Sequence, residues 1–153
     1  MNTSEIRCFI KGHDLLSTIV KGVYSSDTLP SKIDSYPSAY VCNTDTSHLP
    51  GEHWVVFWMD SPQKAEFFDS LGKPPEYYDE RFKTFLMLNS ENTVYSNKPL
   101  QKKSAETCGY HVLLFLLLKS RKYSLSYIVQ YISRQDNPDL FVYRLVSDYT
   151  DCL

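Results

Sequence analysis

The sequence predicts a single α+β domain in which a small mixed or antiparallel sheet packs against helices. Three observations lead to this prediction. The 153-residue chain is 42% hydrophobic and 22% charged, which is ordinary for a globular protein. Short segments rich in β-branched and aromatic residues occupy its middle, and helical apolar patterns lie towards its end. No repeat or Pro/Gly/Ser-rich linker divides the chain, so one domain over residues 1–153 is expected.

The first forty residues contain few strong signals. Ser4 is a candidate cap for a short helix from Glu5 to about Lys11. Residues 14–37 carry turn residues and two prolines, and we expect them to be irregular. Segment 39–42 has the sequence Ala-Tyr-Val-Cys, which predicts a short strand.

The middle of the chain predicts a buried strand pair. Segment 53–58, His-Trp-Val-Val-Phe-Trp, is apolar on both faces, as a central strand is. Segment 65–69 predicts a second strand, and the few polar residues between the two favour antiparallel pairing. Pro74 and Pro75 open a predicted helix that a 3.6-residue period extends to Asn89, and 93–95 predicts another strand.

The C-terminal part is predicted to be helical. From Cys108 onward the chain is apolar almost all round, which is typical of a buried central helix. Ser124 is expected to cap a helix that runs through Ile132. Pro138 is expected to begin a last helix that runs through Val146.

Composition excludes several classes of protein. A net charge of −2 argues against a dedicated nucleic-acid binder. The N-terminal stretch lacks the apolar core of a signal peptide, and the longest apolar run, 112–118, is far shorter than the ~20 residues that span a bilayer. Four cysteines are too few and too scattered for a disulfide framework or a Cys-rich zinc module. We therefore expect an intracellular protein of a reducing compartment, not secreted and not membrane-bound, in which a conspicuous cysteine is a reactive or packed thiol rather than half of a disulfide.

Three residues of different chemistry stand at the predicted ends of elements. Cys108 begins the apolar helix, where free N–H groups and the helix dipole stabilise a thiolate. His53 begins one strand of the predicted pair and Asp69 ends the other, so an imidazole and a carboxylate could meet. Such a set can perform nucleophilic catalysis. Each residue also has an ordinary structural role, as a core thiol, a hydrogen-bonded histidine or a turn former, and the pattern alone leaves both interpretations open.

Two competing assignments are less favoured. His111 stands three residues after Cys108 and suggests a metal pair, but no second Cys/His pair has matching spacing, so we expect no metal site. Asp60 could orient His53 in place of Asp69. However, Asp60 closes the strand that begins at His53 and should therefore lie at its opposite end.

The ordered set of motifs resembles the adenovirus-type cysteine protease (adenain) family. The set comprises His53-Trp54 before an apolar strand, Phe-Phe-Asp69-Ser-Leu-Gly, Gln101, and Cys108-Gly109. Segment 40–54 is particularly similar to versions encoded by Polinton/Maverick elements and related DNA viruses. The resemblance runs from about residue 13 to 118, and the wider clan includes the SUMO and ubiquitin-like proteases.

The resemblance implies a role for each residue. Cys108 is the nucleophile, His53 the general base and later the acid, and Asp69 the residue that orients the imidazole. Gln101 is the oxyanion-hole donor beside the backbone N–H of Cys108, since a preorganised amide suits a charge that develops in the transition state. Trp54 is expected to be a packing wall beside the imidazole. The implied fold is of the adenain/Ulp type.

The resemblance also implies a function. We expect a cysteine endopeptidase, a monomer of the host nucleus and the virion, that cleaves viral capsid or core precursors next to Gly through an acyl-enzyme. The alternatives are a deubiquitinase or deSUMOylase type of isopeptidase, and a catalytically inactive interaction module on the same fold.

The case for an activator rests on the resemblance alone. Adenovirus members are stimulated by DNA and by a short Cys-containing peptide. The stretch Lys98 to Lys122 holds six basic residues against Glu106, which would allow a weak DNA contact. The peptide's disulfide partner would be expected between the acid and the nucleophile, yet no Cys lies between residues 43 and 107. The sequence therefore supports no cofactor and no activator.

Overall fold

A computed structural model of the chain describes residues 1–149 and Cys152. Its strands form one sheet in chain order: β1 (Val20–Tyr24), β2 (Ser38–Asn43), β3 (Trp54–Ser61), β4 (Lys64–Phe68) and β5 (Asn92–Tyr95). Strand β3 pairs antiparallel with both neighbours, whereas the two edge pairs are parallel. The helices are α1 (Thr3–Lys11), α2 (Asp14–Ile19), α3 (Glu80–Asn89), α4 (Cys108–Ser120), α5 (Leu125–Ser133) and α6 (Pro138–Ser147). The predicted α+β class with a mixed sheet is confirmed.

The sheet is buried on both faces. On one face, Val56, Trp58 and Phe68 belong to a core that includes most of α4 and apolar residues of every other helix except α3. On the other face, β2, β3 and β4 pack against α3. This two-sided burial explains why β3 is apolar throughout its first six residues. It also gives α4 the central buried position that its composition predicts.

Two N-terminal predictions are wrong. The cap of α1 is Asn2 and not Ser4, because Asn2 Oδ1 accepts from the Glu5 N–H (3.0 Å) while the Glu5 carboxylate accepts from the Asn2 N–H (2.6 Å). Residues 14–37 are not irregular throughout, since they contain α2 and β1. Both elements are short and β1 forms by pairing with β2, which is a tertiary contact that no local pattern reveals.

The predicted helix after Pro74 is divided. A 3₁₀ turn occupies Pro75–Tyr77, Tyr78 has extended backbone dihedrals, and α3 begins only after Asp79, which caps it by accepting from the Arg81 N–H. The two helices predicted after Cys108's helix are confirmed. Ser124 accepts from the Tyr127 N–H at the start of α5, and Pro138 begins α6.

Two of the four cysteines, to which the sequence assigns no role, form a disulfide. Cys8 in α1 and Cys152 form a disulfide across 144 positions of sequence, with their Cα atoms 6.0 Å apart. Cys42, buried in β2, and Cys108 are free thiols. Disulfides are typical of oxidising environments. The compartment itself stays a prediction.

Within the residues that the structure describes, no helix combines the length and the apolar character needed to cross a membrane.

Candidate active site

Cys108 is the first residue of the buried helix α4. The first N–H groups of a helix have no partner within it, so they are available to an anion at this position. Burial alone would raise the pKa of the Cys108 thiol. The interaction with His53 and the backbone N–H groups of Trp54 and Gly109 outweigh burial and lower this pKa below its ordinary value.

His53 and Asp69 meet at the end of the β3–β4 pair. His53 directly precedes β3 and Asp69 directly follows β4, and the antiparallel register sets Val56 opposite Phe68. His53 Nε2 lies 2.6 Å from Asp69 Oδ1, and both side chains are buried. The structure thus brings together the two residues that the strand pattern suggested could meet.

The imidazole stands between a carboxylate and a thiol. Burial would lower the pKa of His53, but Asp69 and Cys108 together raise this pKa to about 9. The thiol pKa and the imidazole pKa are therefore shifted in opposite directions, and both shifts favour a thiolate beside an imidazolium. A thiolate is the reactive form of cysteine.

Asp69 accepts four hydrogen bonds. Its Oδ1 accepts from His53 and from the Leu71 N–H (2.9 Å), and its Oδ2 accepts from the Lys73 N–H (3.1 Å) and the Tyr78 hydroxyl (2.6 Å). Burial would raise the pKa of Asp69, yet these donors lower it, so the carboxylate stays ionised. Asp60 lies near the far end of β3, where its carboxylate accepts from the Trp58 indole (3.4 Å).

Tyr78 is a site residue that sequence reasoning missed. Its ring lies 6.1 Å from the His53 ring at an interplanar angle of 27°, and its hydroxyl donates to Asp69. Burial and the neighbouring carboxylate raise the pKa of Tyr78, which therefore keeps its proton. The apolar period assigned Tyr78 to a helix face. In the structure, Tyr78 lies at the break between the 3₁₀ turn and α3, and an apolar period does not reveal such a break.

Gln101 is held beside the nucleophile by Ser70. The Ser70 carbonyl accepts from the Gln101 N–H (3.0 Å), and the Ser70 hydroxyl donates to Gln101 Oε1 (2.7 Å). Gln101 Nε2 donates to the Ala105 carbonyl. Because a side-chain amide carries two N–H donors, one remains to donate to a substrate oxygen. The amide is therefore fixed in orientation before any substrate binds.

Trp54 contributes both side chain and main chain. Its buried indole donates to the Met1 carbonyl (3.0 Å), and its backbone N–H interacts with the Cys108 sulfur. The indole thus fits the expected packing wall, while the contact of its backbone with the thiolate was not anticipated.

A cleft of about 650 Å³ is lined by Cys108, His53, Gln101, Trp54 and Tyr78. The cleft is bounded by aromatic side chains and by charged groups on its rim, namely Trp54, Tyr77, Tyr78, Asp45, Glu52, Lys103 and Glu106.

Cys108 and His111 face different partners. Cys108 interacts with His53, whereas His111 Nε2 lies 3.1 Å from Asp139 Oδ1. Among residues 1–149 and Cys152, no group of three or more His, Cys, Asp or Glu side chains is placed to hold a metal ion.

No known protein-family model matches the chain, and no curated protein sequence matches it either. The solved structures that are similar to it include a viral protease and a bacterial domain. The pS273R protease of ASFV matches over 69% of this chain with 24% sequence identity and a TM-score of 0.44. This match spans 42% of that protease, which is less than half of its length. The central domain of the uncharacterised protein Lpg1148 of Legionella pneumophila matches over 97% of this chain and 94% of its own, with 14% identity and a TM-score of 0.55. The Legionella domain therefore shares the fold.

Proposed function

We propose that the chain is a cysteine peptidase in which Cys108 is the nucleophile, His53 the general base and acid, and Asp69 the residue that orients His53. The observation that carries the proposal is the continuous contact from thiol to imidazole to carboxylate at one cleft, with the pKa values of Cys108 and His53 shifted towards the reactive ion pair. Buried structural cysteines show the opposite shift, as Cys42 does, since burial raises its pKa.

The proposed reaction proceeds through a thioester. The Cys108 thiolate attacks the substrate carbonyl carbon, and the oxygen takes up the electron pair as an oxyanion. The free N–H of Gln101 and the backbone N–H of Cys108 hold that oxyanion. His53 gives its proton to the leaving amine as the C–N bond breaks. His53 then takes a proton from water, which attacks the thioester and releases the acid and the thiolate.

The proposed substrates are capsid or core precursors of a DNA virus or virus-like element, cleaved next to Gly. Support comes from the motif set His53-Trp54, Asp69, Gln101 and Cys108-Gly109.

A labelling experiment tests this proposal. Wild type, Cys108→Ala and the control Cys42→Ala are incubated with a Gly-Gly peptide vinyl sulfone and with ubiquitin and SUMO vinyl probes. We expect the peptide probe to modify wild type and Cys42→Ala but not Cys108→Ala. Efficient modification by a ubiquitin or SUMO probe would instead support an isopeptidase. Failure of every probe to label Cys108, with no cleavage of a Gly-Gly peptide library, would contradict the proposal and support an inactive module.

A further inference from the structure

The segment between Gln101 and Cys108 sets the separation of two groups in the proposed site. Its two ends supply the side-chain and main-chain donors of the proposed oxyanion hole. Yet the segment contains no helix or strand, and most of its residues from Lys102 to Thr107 are exposed. Within the segment, the Ala105 N–H donates to the Lys102 carbonyl and the Ala105 carbonyl accepts from Gln101 Nε2, and neither bond reaches Thr107.

Asp139 contacts both ends of this segment. This residue lies in the first turn of α6 and is 8% exposed. Its Oδ2 accepts from the Lys102 N–H (3.1 Å), directly after Gln101. Its Oδ1 accepts from the Thr107 hydroxyl, directly before Cys108. One carboxylate thus joins the two ends of the segment to α6.

His111 completes this cluster from inside α4. The ring is fully buried, and its Nε2 lies 3.1 Å from Asp139 Oδ1. Burial lowers the pKa of His111 more than Asp139 raises it, so the ring is neutral and donates from Nε2. Its Nδ1 has no hydrogen-bond partner within the part of the chain that the structure describes. The hydrogen bond of the buried His111 ring is therefore the one that its Nε2 makes to Asp139.

Only an ionised carboxylate suits this position. Three donors converge on Asp139, and a carboxylate has acceptor capacity alone. These donors outweigh burial and lower the pKa of Asp139, and the N-terminal turn of α6 also favours a negative charge. An amide in its place would turn an N–H group towards one of the donors.

We propose that Asp139 is a positioning residue that, through Lys102, Thr107 and His111, holds segment 101–107 so that Gln101 and the Cys108 N–H converge on one oxyanion. The proposal rests on the proposed peptidase function for its catalytic consequence. It is separate from the His53–Asp69 pair, which contacts the thiol through His53.

The first test measures the segment itself and needs no activity. Hydrogen exchange by mass spectrometry is compared for wild type, Asp139→Asn, Thr107→Val, Thr107→Ser and Asp136→Asn. Asp136 is the matched control, since it is an exposed aspartate just before α6. We expect exchange in 102–107 to rise at least tenfold in Asp139→Asn and Thr107→Val, with no change in β3. In Thr107→Ser and Asp136→Asn, exchange in both regions should equal that of wild type. Unchanged exchange in 102–107, or an equal rise in β3, would overturn the proposal.

The second test asks whether the contact acts through Gln101. In Asp139→Asn and Thr107→Val we expect kcat to fall at least tenfold with KM within twofold, and Thr107→Ser to restore kcat. The rate of Cys108 alkylation by iodoacetamide should stay within twofold, because His53 and Asp69 are untouched.

A double-mutant cycle decides this point. Gln101→Ala alone should lower kcat about 100-fold. In that background, Asp139→Asn should lower kcat less than tenfold, because only the position of the Cys108 N–H is then lost. A full tenfold further loss would overturn the positioning role while leaving the peptidase proposal intact. Failure of the peptidase proposal is instead recognised by the absence of Cys108 labelling in wild type.

Discussion

The chemistry of the candidate site depends on how three side chains share protons. Cys108 and His53 perturb each other, and Asp69 adds to the positive shift on His53. A thiol that ionises more readily beside an imidazole that holds its proton favours the thiolate–imidazolium pair over the neutral pair. The same three residues would be inert if burial dominated, as it does for Cys42.

Replacing His53 should move the titration of the thiol. His53 lowers the pKa of Cys108, so His53→Ala is expected to raise it. The pH midpoint of Cys108 alkylation by iodoacetamide should therefore shift upward by at least one unit. The Cys108→Ala variant gives the background from other thiols. A midpoint that stays in place would show that the helix N-terminus alone stabilises the thiolate.

Tyr78→Phe should weaken the support of Asp69. The hydroxyl helps to lower the pKa of Asp69, so its loss should raise that pKa towards the unfolded value. A hydrogen bond to a charged group contributes about 1.5–3 kcal/mol, and we expect a loss of that order in the unfolding free energy at pH 7.

The pH dependence of that loss follows from the sign of the shift. A carboxyl group with a lowered folded pKa stabilises the protein above its unfolded pKa, and this contribution disappears as pH falls. Wild type should therefore lose more stability on acidification than Tyr78→Phe. Urea unfolding at pH 7 and pH 3 measures the difference, with Tyr77→Phe as the control on the neighbouring residue. Equal acid sensitivity of both proteins would contradict the role assigned to Tyr78.

Among the elements, the turn after β4 connects two parts of the site. It carries Asp69 and Ser70, and Ser70 holds Gln101. Gly72 ends the turn with a φ of 71°, and a Cβ there would lie 2.8 Å from the backbone of Lys98 and Pro99. The turn and the segment that leads to Gln101 are therefore in direct backbone contact.

Gly72→Ala should disturb both structure and activity. The left-handed conformation costs an L-residue roughly 1–2 kcal/mol, and the backbone clash adds to this cost. We expect a loss of about 2 kcal/mol or more in unfolding free energy, together with a fall in kcat as Gln101 moves. Gly12→Ala is the control, since its φ is −72° and the nearest contacts of a Cβ there are ordinary at 3.5 and 3.7 Å. Equal stability of the two variants in denaturant unfolding would contradict this account.

The elements that could be predicted are those with strong local patterns. The first six residues of β3 and most of α4 are apolar runs, because both elements are buried. The edge strand β1 has only two buried residues in five and forms by pairing with β2, so its local pattern is weak. The break at Tyr78 escaped notice because the apolar period continues across it, with Phe82 and Phe85 both buried on the same side.

At the scale of the whole molecule, the site joins distant segments at one end of the sheet. Strand pairing could be predicted from sequence, and so could the approach of His53 and Asp69. The place of Cys108 and Gln101 beside them was inferred from the family resemblance, since no pattern fixes where α4 crosses the sheet. Tyr78 and Asp139 could not be identified from the sequence. Tyr78 donates to Asp69 across a turn, and Asp139 accepts from Lys102, which is far away in the chain.

The Cys8–Cys152 disulfide is the longest-range link in the molecule. It closes a loop of 144 positions, so it removes much of the conformational freedom of the unfolded chain. The Cys8→Ser/Cys152→Ser double variant is expected to lose about 2–5 kcal/mol of unfolding free energy. Dithiothreitol should lower wild type to the stability of this variant and leave the variant itself unchanged. Identical unfolding curves for oxidised wild type and the variant would contradict a stabilising role. Reductant both breaks this disulfide and protects the Cys108 thiol in wild type. In the double variant it does only the second, so the two effects of reductant on activity can be measured apart.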